Sequence, residues 1–130
     1  TRSLSSAASD VYKRQGVDRV MATLTSHTLN GTDGSHAGAI KVKLIEVDGQ
    51  TIFEAKMDDG GRLKQEIEPS KINPSSIYEL TFETGQYWSH RGFDQIMDQI
   101  VLRFRMPDPK GNYHMPIIIN PNSYSTWWSS

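Results

Sequence analysis

From Met21 onward the apolar residues recur at every second position, and each run of alternation stops at residues that make tight turns. Period two is the spacing of a strand with one dry face and one wet face, so the chain is confined to sheet architectures. The turn signals are Asn30-Gly31, Asp33-Gly34, Asp48-Gly49, Asp59-Gly60-Gly61, Asn73-Pro74, Pro109 to Asn112 and Pro121-Asn122. Between them lie the strand candidates Thr23 to Leu29, Ile40 to Val47, Thr51 to Lys56, Leu63 to Ile67, Ile77 to Glu83, Gln99 to Met106, Tyr113 to Ile119 and Ser123 to Trp128. Tyr78, Leu80 and Phe82 share one face and Glu79, Thr81 and Glu83 the other, and Ile100, Leu102 and Phe104 oppose Arg103 and Arg105 in the same way. Eight short strands of this kind predict an all-β, two-sheet sandwich. Thr84 to Arg91, TGQYWSHR, breaks the alternation and fits a short helix or a turn, while Phe93 to Asp98 fits neither period.

Size and charge narrow the function classes. A chain of 130 residues, 36% hydrophobic, has enough apolar material for one core and little for two. Thr1 to Gln15 has neither periodicity nor the apolar centre of a signal peptide, and Ser5 to Gln15, SSAASDVYKRQ, reads as the in-frame translation of a sequencing-library adapter. Residues 1–20 are therefore expected to be a non-native or disordered leader, with Met21 the natural start of a single domain over 21–130. That domain carries 10 basic and 13 acidic side chains, a balance of −3 that argues against nucleic acid or anionic membrane as partner. No apolar run approaches the roughly 20 residues of a membrane helix. Zero cysteines exclude a disulfide framework and a thiolate zinc site, and the expected compartment is the cytoplasm.

Alternation also orients the histidines. With Tyr113, Met115, Ile117 and Ile119 on the core face, His114 points outward beside Pro116 and Ile118; His27, opposite in parity to Leu24, points outward too. Outward histidines beside apolar neighbours call for a cover, and a second subunit is the simplest one. Proline inside a strand points to an edge or a bulge at Pro116. His36 and His90 read as solvated or hydrogen-bonded side chains, with no carboxylate or second histidine to pair them at metal spacing. Arg62, after Asp58-Asp59-Gly60-Gly61, is either a rim residue or a guanidinium aimed at an anion. Trp88 reads as packing, whereas Trp127 and Trp128 must pack, meet a partner or wall a pocket.

Four motifs in register, LTSH (Leu24 to His27), DGGR (Asp59 to Arg62), YHMP (Tyr113 to Pro116) and SYST (Ser123 to Thr126), together with YELTFETGQYW (Tyr78 to Trp88), resemble the 5-hydroxyisourate hydrolases, the transthyretin-related enzymes of urate breakdown. The resemblance spans essentially all of Met21 to Ser130. It implies a transthyretin-like sandwich of seven to eight strands with one short helix, assembled as a homotetramer whose active sites lie at a subunit interface. It makes His27, Arg62 and His114 the catalytic candidates and Ser125, Trp127 and Ser130 the substrate contacts, with no metal and no organic cofactor. The substrate would be a small, planar, purine-derived ring opened by water at an acyl C–N bond. The sequence departs from the family in ending Trp127-Trp128-Ser129-Ser130 where Tyr-Arg-Gly-Ser is usual, and in placing Asn112 where a histidine is common.

The chemistry fits those residue types. Histidine titrates near pH 7 and can activate water, and arginine is a permanent, bidentate cation for a developing oxyanion or a ureide carbonyl. His27 and His114 would share the acid and base work, with Arg62 polarising the carbonyl. Two other readings compete: a non-enzymatic transthyretin-like small-ligand-binding protein closed by Trp127 and Trp128, and a structural sandwich module of a larger surface protein. Retention of His27, Arg62 and His114 together favours the enzyme.

Overall fold

The computed structural model describes residues 20–130. The expected leader therefore lies outside the described residues except for Val20, and Met21 precedes the first strand. The strands are β1 (Ala22–Asn30), β2 (Lys41–Glu46), β3 (Thr51–Lys56), β4 (Arg62–Ile67), β5 (Tyr78–Phe82), β6 (Ile100–Phe104), β7 (Asn112–His114), β8 (Ile117–Asn120) and β9 (Ser123–Thr126), with one helix, α1 (Thr84–Ser89), after β5. A 3-10 turn, Pro69–Lys71, follows β4, with proline at its start where no N–H is needed.

Two sheets form. One has the order β3-β2-β5-β6; the other runs β4-β1-β8-β9, with β7 also on β1. The first is antiparallel throughout, whereas β1 is antiparallel to β4 and parallel to β7 and β8. The expected alternation holds: Tyr78, Leu80 and Phe82 are fully buried, Ile100 is buried, and Leu102 and Phe104 pack against the core from partly buried positions. Leu24, Leu44, Ile117 and Ile119 complete the interior, and Trp88 of α1 closes one end with its edge toward Tyr87 and Phe93. The segment Thr84 to Arg91 thus resolves as the helix Thr84–Ser89 followed by a turn at His90 and Arg91, while Phe93 to Asp98 is irregular.

Two expectations about the proline need correction. Tyr113 to Ile119 is not one strand: Met115 N–H still donates to the Thr25 carbonyl of β1 at 2.9 Å, but Pro116 has no N–H to give on the β9 side, where His114 bonds Ser129, and the chain divides there into β7 and β8. Nor does Pro116 mark an edge or a bulge: it is buried between β1 and β9, and the register on β1 is the same on both sides of it. Hydroxyls repair the break. Ser26 Oγ donates to the Met115 carbonyl at 2.7 Å, and Thr126 Oγ1 donates to the Pro116 carbonyl at 2.9 Å. Each bond contributes about 1 kcal/mol net, and leaving either carbonyl buried and unpaired would cost more.

The inner face of β1 is unusually polar. Ser26, Thr28 and Asn30 are buried, and Asn30 donates to the Tyr87 hydroxyl at 3.0 Å, tying β1 to α1. The outer face carries Thr25, His27 and Leu29, all half-buried. Among the described residues no helix is long and apolar enough to cross a membrane.

Candidate active site

Two pairings of β1 bring the three candidate side chains to one outward face. His27 lies directly across from Arg62 of β4, and Thr25 directly across from His114 of β7. The turn before β4 fixes the first pair. Asp58 Oδ1 accepts from the backbone N–H groups of Gly60 (2.9 Å) and Arg62 (2.8 Å), and Gly61 adopts φ +74°. A side chain at Gly61 would place Cβ 2.6 Å from the Thr28 carbonyl oxygen and 2.9 Å from that of Ala37. Only glycine combines that φ with that approach, and Arg62 therefore starts β4 beside His27.

His114 is held at both ends. Its Nδ1 lies 2.7 Å from Thr25 Oγ1, and its backbone exchanges two hydrogen bonds of 2.9 Å with Ser129. Thr25, Asp58, Arg62, Lys64 and His114 line a shallow cleft of about 310 Å³. Arg62 and Lys64 are exposed cations at its rim, and both carry the outward parity of β4. A larger hollow of about 530 Å³, beside Arg105, Tyr113 and Trp128, contains none of the three candidates. Its size does not outweigh the chemistry of the smaller one.

His27 makes a contact that the sequence reading missed. His36, read as a solvated or hydrogen-bonded side chain with no second histidine in view, brings its Nδ1 to 2.8 Å from His27 Nε2. The loop from Asn30 to Gly38 doubles back on β1: Asn30 N–H donates to the Ser35 carbonyl and Ala37 N–H to the Thr28 carbonyl, so His36 forms a bridge opposite Leu29. Partial burial pushes the His27 imidazole below its ordinary pKa of 6.5; the positive charges of Arg62, His36 and His114 add to that, and a backbone hydrogen bond at Gly60 opposes it. No carboxylate compensates among the groups acting on it. Among the described residues no cluster of three metal-ligating side chains occurs.

The expected substrate contacts fall at different distances from this centre. The pairing of β8 with β9 continues in the same register to the His114–Ser129 bridge, which sets Trp127 across from Pro116 on the outward face. Trp127 is 51% exposed there, one row from His114. Trp128, of opposite parity, turns its edge to Tyr113 instead. Ser125 pairs with Ile118, two rows away, and Ser130 follows the bridge as an exposed terminal residue. Thr25 and Lys64, passed over in the sequence, were legible by parity alone; His36 and Ser129 were not, since loop closure and strand register bring them in.

The arrangement offers an imidazole with one nitrogen held, a neighbouring imidazole biased to be neutral, and two cations. That set can activate water and stabilise a developing oxyanion. The model of the HIUase/Transthyretin family matches residues 24–128. A 5-hydroxyisourate hydrolase of Pseudomonas aeruginosa is 33% identical over 122 residues, covering 88% of this chain and 97% of its own. Among solved structures, 5-hydroxyisourate hydrolase of Klebsiella pneumoniae superposes with a TM-score of 0.69 at 27% identity, covering 83% of this chain and 99% of that one. Transthyretin from Sparus aurata gives 0.71 at 24% identity, over 82% and 95%, and speaks to the fold alone.

Proposed function

The chain belongs to the HIUase/Transthyretin family, and from that premise we propose that it hydrolyses 5-hydroxyisourate, opening a cyclic amide C–N bond in urate breakdown. The observation that carries the reading is the convergence of His27, Arg62 and His114 on one face of three adjacent strands. A carrier of apolar ligands needs neither two imidazoles nor a guanidinium there.

The proposed mechanism takes His114 as its Nδ1–H tautomer, donating to Thr25 Oγ1 across the 2.7 Å contact, so that Nε2 keeps the lone pair. Nε2 takes a proton from water as its oxygen bonds to the ring carbonyl carbon. Arg62 and Lys64 carry the charge that builds on the carbonyl oxygen, and His27, neutral beside Arg62, leaves that guanidinium free for the substrate. Collapse of the tetrahedral adduct breaks the C–N bond, His114 returns its proton to the leaving nitrogen, and the new carboxylic acid ionises, so one proton leaves per turnover. The scheme calls for no metal and no organic cofactor. Trp127 would lie along the planar ring, and Ser125 and Ser130 would be outer contacts. We extend the proposal to a homotetramer with the sites at a subunit interface, supported by half-buried Leu29 and Ile118 and by Trp127 on the same outward face.

The test generates 5-hydroxyisourate from urate with urate oxidase and follows its ultraviolet decay with and without the protein. The expected outcome is accelerated decay, reduced by about two orders of magnitude or more in His114→Ala. Decay at the spontaneous rate with a folded wild-type protein would favour the small-ligand-binding reading instead.

A further inference from the structure

The His27–His36 contact is an end-on hydrogen bond, not a face-to-face stack. The ring planes differ by only 28°, but the centroids are 4.9 Å apart while the facing nitrogens are 2.8 Å apart. Two nitrogens at that distance hold one proton between them. The direction of the bond follows from the rest of the ring. The Gly60 backbone contact favours the His27 cation, so it is a carbonyl accepting a ring N–H. With Nε2 turned to His36, the nitrogen that donates to Gly60 is Nδ1. Neutral His27 then has no proton on Nε2, and the bridging proton comes from His36 Nδ1.

Resting on the hydrolase reading, we propose that His36 is a positioning residue of the site: its Nδ1–H donates to His27 Nε2, locks His27 as the neutral Nδ1–H tautomer, and leaves the acid–base step to His114 alone. The charged surroundings enforce the same state. Arg62 on β4, His114 on β7 and His36 itself all face His27 with positive charge or the capacity for it. Asp58, a carboxylate of the turn before β4, commits its Oδ1 to the N–H groups of Gly60 and Arg62. If both imidazoles were charged, two N–H groups would point at each other beside a guanidinium. Burial and those charges hold the His27 imidazole below its ordinary range, so a second charge within the pair is opposed.

The test combines nitrogen-15 NMR of the histidine rings in the full chain with the pH profile of turnover. Wild type should show His27 as the Nδ1–H tautomer. His36→Ala should mix the tautomers, raise the acid limb of kcat/KM toward higher pH and lower kcat/KM by about tenfold near pH 6. His36→Asn, whose amide nitrogen falls where the ring Nδ1 lies, should restore the tautomer and most of the rate. An active protein whose His27 signature and acid limb ignore His36→Ala overturns the inference while leaving the hydrolase reading intact. An inert wild-type protein with the expected His27 signature supports the hydrogen bond and sinks the hydrolase reading.

Discussion

A threonine decides which nitrogen of His114 faces the cleft. With Nδ1 held 2.7 Å from Thr25 Oγ1, Nε2 is the only ring nitrogen left for water. Thr25→Val keeps the β-branched shape and removes the oxygen, so the fold should persist while kcat falls by about tenfold with little change in KM, read by steady-state kinetics on a variant of unchanged circular dichroism. His27 supplies a pH dependence of stability. Its folded pKa lies below 6.5, so between that value and 6.5 the unfolded chain binds more protons than the native one. The associated stability is fully present above pH 6.5 and is lost as the pH falls through the lowered value. Urea midpoints at pH 7 and 5.5 should therefore drop less in His27→Asn than in wild type. At this scale the sequence was readable wherever parity governs, as for His27 and His114, whereas Arg62 was left open between rim and site. It was silent on His36, because a bond across nine positions depends on a loop that Asn30 and Asp33 fold through their own side-chain contacts to Thr32 and Ser35.

Among the elements, the turn from Met57 to Gly61 does most to aim the site. Gly61→Ala would combine an αL backbone with a 2.6 Å approach to the Thr28 carbonyl, costing about 2–4 kcal/mol. The expected result is a lower urea midpoint and a larger loss of activity than of stability, since Arg62 is displaced from His27. An Ala variant with wild-type midpoint and rate would show that the turn has no such role. Strand positions were legible from alternation, and the β2–β3 hairpin formed at Asp48-Gly49 as its turn signal required, with Asp48 at φ 61°. The break at Pro116 was misplaced for a physical reason. A sequence records that proline withholds a donor, but not that Ser26 and Thr126 stand by to satisfy the flanking carbonyls inside the sheet.

On the whole molecule the two outer faces differ in kind. The β3-β2-β5-β6 sheet turns out Lys43, Glu54 and Arg103, the last paired with Glu79 at 3.3 Å, and is suited to water. The other sheet turns out imidazoles, Leu29, Ile118 and Trp127, a mixture suited to burial against another copy. Sedimentation should find a tetramer, and Ile118→Lys should yield smaller species with reduced turnover; a monomeric wild type would dismiss the assembly. No sequence pattern announces which outer face is covered, because both alternate equally well. The parallel pairing that seats His114 beside Thr25 joins residues 89 apart in the chain. Contacts of that span wait on the closure of a long loop and form late in folding. During refolding, burial of Trp88 among its local aromatic neighbours can therefore precede the catalytic pairing, and regained turnover rather than regained tryptophan fluorescence marks the finished molecule.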